Sequence, residues 1–566
     1  VSFWQDQAAR TFQKRAIERT ADFRRIEAIP RRGPVPEGLV EKLTRELKKS
    51  GGTMTLRPIQ AQALAELRQV RGLFAPIRVG GGKTLLSLLA PLMVDAKKPL
   101  LVLPASLVAK TDRERASLTQ HWQIPASLRI VSYEMLGRVQ SAAFLDFVKP
   151  DFLILDEGHR AKNKRAGVTR RLTRYLRENP ETRVLVMSGS ILKRSLRDFA
   201  HLIEWTHRDN APVPLVDSEL EEWASCLDEK VNPLLRVHPG ALLTLATPED
   251  KGETALETAR KAFHRRLVDT PGVVSSGGDQ VSCSLYLEGH VVPGNADTDR
   301  HFAKLRSEME TPDGWALTQA VDVWRHAREL ALGFHYVWDP RPPQGWLNAR
   351  KAWAKFVRDV LSHSRTLDTE LQVANAVRAG KLRRDEWDWW DGVRATFQIN
   401  PKAIWHDRTA LDWCAAWLER EKGIAWCEHT FFARELSRLT GHPYYGPQGL
   451  NAKGKPIESG SGPIIASVAA NSTGRNLQRW NKNLVTSLPP SADTWEQMLG
   501  RTHRDGQEAD EVTVDIMISC VEHADSWDRA LADARMAQDM LGQPQKLLYA
   551  DCTMPMAPQS GARWEK

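Results

Sequence analysis

The sequence predicts an α/β protein: two lobes on parallel sheets, a mostly helical region between them and an N-terminal helical extension. Three observations predict it. Over residues 51–205, short and almost continuously apolar runs alternate with helix-length stretches, which is how strands covered on both faces read. The same grammar returns over 406–530. The stretch between, 206–405, is charged, rich in Trp and spaced like helices.

Taken in order, residues 1–50 carry Phe3, Phe12, Ala16, Phe23 and Ile26 at helical spacing, broken by Pro30-Arg31-Arg32-Gly33-Pro34. They read as a helical brace. The first lobe has strand candidates at Ala75-Pro76-Ile77-Arg78-Val79, Leu100-Leu101-Val102-Leu103, Leu128-Arg129-Ile130-Val131, Phe152-Leu153-Ile154-Leu155 and Arg183-Val184-Leu185-Val186-Met187. In the middle region, Trp324, Trp338, Trp346, Trp353, Trp387, Trp389, Trp390 and Trp405 read first as packing residues and second as stacking surfaces. Tyr336-Val337-Trp338-Asp339-Pro340-Arg341-Pro342-Pro343 reads as an irregular connection, because proline removes donors and restricts its neighbours. The second lobe has Ile424-Ala425-Trp426-Cys427, Ile464-Ile465-Ala466-Ser467-Val468, Asn483-Leu484-Val485-Thr486 and Val512-Thr513-Val514-Asp515-Ile516. A C-terminal tail, 531–566, reads as helical through Met540 and frayed beyond.

Composition bounds the function classes. With 42% hydrophobic and 26% charged residues, the 566-residue chain reads as folded and long enough for more than one core. No stretch approaches the run of roughly 20 apolar residues that spans a bilayer, so no membrane partner is expected. The six cysteines are scattered, without a CxxC pair, which disfavours a disulfide framework or structural zinc and suits a reducing cytoplasm. The opening residues lack a secretion pattern. A net charge of +9 leans weakly toward a polyanionic partner.

The motifs say more. Val79-Gly80-Gly81-Gly82-Lys83-Thr84 lies between an apolar strand and the helix-like Leu85-Leu86-Ser87-Leu88-Leu89-Ala90. Glycines let backbone amides curl around phosphate oxygens, and the helix start adds its positive dipole end. Lys83 then reaches terminal phosphates and the Thr84 hydroxyl ligates magnesium. Downstream, Asp156 and Glu157 follow Phe152-Leu153-Ile154-Leu155, at the carboxyl end of a strand, where open α/β sheets bind ligands. Asp156 suits magnesium through its water shell, and Glu157 suits orienting and deprotonating a water. His159 is positioned in the text to bond across to Ser188-Gly189-Ser190, where Ser188 and Ser190 would feel a terminal phosphate. Gln60, in Leu56-Arg57-Pro58-Ile59-Gln60, carries an amide able to pair with an adenine edge. In Gln497-Met498-Leu499-Gly500-Arg501-Thr502-His503-Arg504, the two arginines fall three apart, on one side of a helix, where they face a shared anion or make surface salt bridges. Asn471-Ser472-Thr473-Gly474-Arg475-Asn476-Leu477 follows a strand candidate and offers backbone, amide and hydroxyl donors.

In this order the motifs resemble superfamily 2 helicases, in particular the SNF2-like branch of DNA translocases, in divergent form of the kind that bacteriophages and prophages encode. Asp156-Glu157-Gly158-His159-Arg160-Ala161-Lys162-Asn163 resembles that branch's second motif. Arg501-Thr502-His503-Arg504-Asp505-Gly506-Gln507 resembles its sixth, and Leu56-Arg57-Pro58-Ile59-Gln60 its opening glutamine motif. The likeness covers both lobes. It departs at Ser188-Gly189-Ser190-Ile191, where the family usually has threonines and a proline, and in the shortened glycine segment Ser472-Thr473-Gly474-Arg475-Asn476-Leu477.

The resemblance implies two RecA-like P-loop ATPase lobes, with ATP and Mg2+ as cofactors. It implies catalytic roles for Lys83, Asp156, Glu157, Arg501 and Arg504, the last as arginine finger. Arg57, Gln60, Gly80, Gly81, Gly82, Lys83, Thr84 and Gln497 would hold nucleotide, with Thr84 and Asp156 on the metal. His159, Ser188, Ser190 and Gly474 would couple the nucleotide to movement. Pro104, Ser106, Ser132, Tyr133, Lys162, Asn163, Thr473 and Asn476 would touch nucleic acid, with Lys162, Arg165, Arg170 and Arg171 adding charge. The expected activity is ATP-driven translocation on double-stranded DNA in the cytoplasm, of a host cell if phage-encoded, with forked DNA or a protein of replication, recombination or transcription as further partners. Strand-separating or branch-migrating DNA enzymes, an RNA helicase and a weakly catalytic DNA-binding subunit are the alternatives.

Overall fold

The structure is a computed structural model, and it describes residues 15–77, 81–189, 195–228, 231–232, 236–275, 283–317, 319–364, 366–472, 474–504, 506–542 and 544–555. The chain divides into two compact units, Val1–Asp279 with Ala532–Gln545, and Gln280–Leu531 with Lys546–Lys566. Each is α/β with a parallel sheet.

The first unit is built on β1 (Leu73–Ala75), β2 (Pro99–Leu103), β3 (Arg129–Ser132), β4 (Phe152–Leu155) and β5 (Arg183–Met187), in the order β1-β5-β4-β2-β3, all parallel. β1, β2, β4 and β5 are apolar on both sides because both faces are covered, whereas β3, at the sheet edge, is exposed to half-buried. Leu100, Val102, Leu153, Leu155, Val184 and Val186 pack into one core, and Leu101, Leu103, Phe152, Ile154, Leu185 and Met187 into another. Alternate residues of a strand point to opposite faces, so one apolar run feeds two cores. The first strand lies two residues earlier than the sequence predicts, and ends before Pro76.

Sequence outside 51–205 completes this unit. Helix Ala21–Ala28, capped by Thr20, buries Phe23 and Ile26 in the same core as Trp223 and Phe263. Helix Ala255–Val268, expected in the middle region, buries Arg266, whose guanidinium donates to the carbonyls of Ile29 and Pro30. Met536, Ala537 and Met540 of helix Val521–Leu541 join that core.

The second unit contains β6 (Ser284–Val291), β7 (Phe334–Trp338), β8 (Pro401–Trp405), β9 (Ile424–Cys427), β10 (Tyr444–Tyr445), β11 (Ile464–Ser467), β12 (Lys482–Val485), β13 (Glu511–Ile518) and β14 (Asp551–Thr553). Seven of these form a parallel sheet in the order β10-β11-β9-β12-β13-β6-β14. β7 and β8 form a separate antiparallel pair, so Tyr336, Val337 and Trp338 are strand residues where the sequence predicts irregular backbone. The middle region is therefore not wholly helical: it supplies β6, which pairs along its whole length with β13. Its helices keep a small core of their own, in which Trp353 and Trp387 pack with rings 5.0 Å apart. Among the described residues no helix is long and apolar enough to cross a membrane.

Candidate functional site

The sheet end of the first unit gathers most of the predicted residues. Gly80 lies outside the described residues. Gly81 is buried, and Gly82, at φ +79°, caps helix Lys83–Met93. A side chain at Gly82 would meet both a left-handed backbone and Gln60, whose Nε2 would lie 2.2 Å from the added Cβ. Lys83 opens the helix and donates to the Ile77 carbonyl at 2.9 Å, and Thr84 beside it is half-buried.

Gln60 does not hold its amide open for a base. Helix Pro58–Val70 starts at the proline, which puts Gln60 at the third position, where its Oε1 accepts the Arg57 N–H at 2.8 Å. Its Nε2 donates to the Gly82 carbonyl at 3.0 Å. The residue is 3% exposed and clamps the glycine turn to the helix, while the Arg57 side chain is exposed.

Asp156 and Glu157 leave the carboxyl end of β4, and both are buried. Asp156 Oδ1 accepts the Glu157 N–H at 3.0 Å, and Glu157 itself takes a left-handed backbone, φ +51°. Such a conformation costs a non-glycine residue of order 1 kcal/mol or more, and it clusters at functional sites. Gly158 follows because a Cβ there would fall 2.4 Å from Val186 Cγ1 on β5. Burial, then repulsion from Glu157, raises the Asp156 pKa to about 6, and the Lys83 ammonium opposes the rise. β5 separates β1 from β4, yet Lys83 and Asp156 are electrostatic neighbours.

His159 Nδ1 lies 2.9 Å from Ser188 Oγ, just past β5, and 3.4 Å from Glu157 Oε2. The Ser188 hydroxyl is 3.5 Å from that same carboxylate oxygen. Three residues singled out in the sequence thus meet in one chain, while Ser190 lies outside the described residues.

Tyr133, expected as a nucleic-acid contact, is instead buried under this turn, its hydroxyl donating to the Asp156 carbonyl at 3.0 Å. Burial and the nearby Asp156 and Glu157 charges push its pKa well up, so the phenol stays protonated. Its neighbour Glu134 accepts the Ala105 N–H at 2.9 Å and pairs with Arg160. Pro104 is buried at the start of helix Ala105–Leu118, and Ser106 is exposed on its first turn. Ser132 caps helix Tyr133–Gly137, accepting the Met135 N–H at 3.0 Å. Lys162 is half-buried. Asn163 is exposed and accepts the Arg165 N–H. Arg171 is not a surface charge: it is 3% exposed and donates to the carbonyls of Leu136 and Arg138.

In the second unit, helix Ala492–Leu499 ends before Arg501, so Arg501 and Arg504 do not share a helix face. Arg501 is 3% exposed and donates to the carbonyls of Gln497, at 2.8 Å, and Arg475, at 3.1 Å. Gln497 is buried too, its amide nitrogen 2.7 Å from Asp493 Oδ1. Arg504 is half-buried and donates to Asn476 Oδ1 at 2.7 Å, near Gly474 at φ +73°. Thr473 lies outside the described residues.

Chemically, the first unit presents a helix N-terminus with an ammonium, two buried carboxylates and a histidine on one of them. Hydroxyl and carboxylate oxygens are the ligands that hard divalent cations take. No protein-family model matches the chain, and no curated protein matches it.

Proposed function

We propose that this protein is an ATPase of two RecA-like lobes that uses hydrolysis to translocate on double-stranded DNA. The observation that carries the reading is the convergence of Lys83, Asp156, Glu157, His159 and Ser188 at one sheet end. The site's own features suit a metal-bound triphosphate. The turn at Gly82 is one that a Cβ would fill, and the buried Asp156 carboxyl is short of compensating positive charge. Thr84 and Asp156 would hold Mg2+, which when bound supplies charge neutralisation for the phosphates.

The rest falls to side chains of the chain. Lys83 stabilises terminal phosphate oxygens. Glu157, held in place by its left-handed backbone and by His159, orients a water and takes its proton. His159 and Ser188 relay the state of that carboxylate to the segment after β5. The motif resemblance assigns Arg504 to stabilise charge on the transferring phosphoryl group. Arg501 has a structural share, since main-chain carbonyls take its guanidinium.

The test is ATP hydrolysis with duplex DNA, forked DNA, single-stranded DNA and RNA, paired with displacement of a third strand from a triplex. Stimulation by duplex and triplex displacement without unwinding are expected, both lost in Glu157→Gln. Stimulation by single-stranded RNA alone would overturn the DNA assignment.

A further inference from the structure

The second unit contains a cavity of about 660 Å³, within the range of small-molecule sites. It is walled by the loop before helix Ala320–Leu330, by that helix, by β7 and by the start of helix Thr430–Thr440. Four aromatic side chains line it: Trp315, Tyr336, Trp338 and Phe431. None is fully buried; Arg341 lies over the Trp315 ring and Arg350 over the Trp338 ring. Tyr336 and Phe431 meet edge to face at 5.4 Å, and Trp338 stands on Trp346. Among the described residues no ring contact joins Trp315 to the other three.

The polar groups are sorted by depth. Glu329, 4% exposed, is fixed by the Tyr336 N–H at 3.1 Å and by His326 Nδ1 at 3.2 Å. Asp313 accepts from the Thr311 hydroxyl at 2.6 Å. Behind it His335 Nε2, buried and without a hydrogen-bond partner among the described residues, faces its carboxylate at 3.9 Å. The guanidiniums are exposed: Arg325, on the cavity wall, lies 3.4 Å from Asp322, and Arg341, at the rim, lies 3.5 Å from the Asp313 carboxylate and 5.6 Å over the Trp315 ring.

We propose that this cavity binds a nucleobase carrying an exocyclic amino group, presented as a nucleotide. A planar ring suits the aromatic walls, because every base has a face that stacks on Trp or Tyr. The carboxylates, buried Glu329 and the half-buried Asp313 beside Arg341, only accept, and so select an amino-bearing edge over a carbonyl-only one. The outer guanidiniums meet the phosphate. The ligand is either a free nucleotide or a base extruded from a strand. The assignment stands apart from the ATPase reading, since every lining residue belongs to the second unit and Lys83 to the first.

The test uses the full chain and 2-aminopurine, whose fluorescence is quenched by stacking, as the free nucleoside monophosphate and within a single-stranded oligonucleotide. Quenching of at least one probe is expected, and the probe that responds identifies the source. Its apparent affinity should fall about tenfold or more in Trp338→Ala and in the isosteric Asp313→Asn, and stay unchanged in Lys83→Ala. Cytidine monophosphate should compete about tenfold better than uridine monophosphate. Absence of quenching with both probes, equal quenching in the cavity variants, loss only in Lys83→Ala, or equal competition by the two pyrimidines would each overturn the proposal.

Discussion

The Gln60 amide nitrogen and the Gly82 carbonyl oxygen are 3.0 Å apart, tying the helix Pro58–Val70 to the turn that starts helix Lys83–Met93. Gly82→Ala places a methyl against that amide in a left-handed backbone, and is expected to weaken ATP binding at least about tenfold. Gln60→Ala opens the space but leaves the backbone penalty. The double variant should therefore bind better than Gly82→Ala alone and worse than Gln60→Ala, as read by nucleotide titration.

Asp156 is predicted to make the nucleotide-free protein pH-sensitive. Its folded pKa, about 6, lies above the ordinary carboxylate value, so the folded state holds the proton more tightly. Stability should fall as pH rises from about 4 to 6, where only the unfolded chain ionises freely, and stay level above. Asp156→Asn removes the charge. It should raise thermal stability at pH 7 by on the order of 1–3 kcal/mol, show no gain at pH 4, and abolish magnesium-dependent hydrolysis.

Glu157 separates strain from chemistry. Glu157→Gln keeps the left-handed backbone, and Glu157→Gly relieves it. Both should lose hydrolysis about 100-fold or more. The glycine variant should be the more stable of the two by roughly 1 kcal/mol in denaturant titrations.

Tyr133→Phe deletes one buried hydroxyl and leaves the Asp156 carbonyl without that donor. A loss of about 1–3 kcal/mol is expected in chemical unfolding. Nucleic-acid affinity should be unchanged, because the residue is buried.

The two arginines of the second unit should part company. Arg501→Ala removes a buried guanidinium from two main-chain carbonyls and should cost roughly 2–4 kcal/mol of stability. Arg504→Ala gives up a bond to Asn476 from a half-buried rather than a buried guanidinium, and should leave the melting temperature within a few degrees of the parent. In the proposed function Arg504→Ala lowers kcat about 100-fold or more with little change in nucleotide affinity.

Several strands were legible because burial on both faces writes a continuous run, as in Phe152-Leu153-Ile154-Leu155. β6 escaped because Ser284-Leu285-Tyr286-Leu287-Glu288 alternates instead, with Leu285 and Leu287 buried and Tyr286 exposed, within a region that otherwise reads as helical. β10 and β14 are too short to leave a period. The contact of His159 with Ser188 was readable from two motifs at neighbouring strand ends. The inward turns of Gln60, Tyr133 and Arg501 were not, since they depend on which helix position or turn each residue occupies. Residue type alone cannot tell a side chain that meets a ligand from one that braces the backbone beneath it.

The partners of β6 carry a consequence for biosynthesis. Its neighbours β13 and β14 come more than two hundred residues later, at Glu511–Ile518 and Asp551–Thr553. A ribosome-bound chain therefore carries β6 with both hydrogen-bonding edges bare until the later strands emerge. Closure of such distant pairs is entropically slow, and an unpaired strand with bare edges invites association with other nascent chains. Slower elongation before β13 should thus deepen the need for chaperones, whereas the first unit's five strands, all made by Met187, face a much shorter wait.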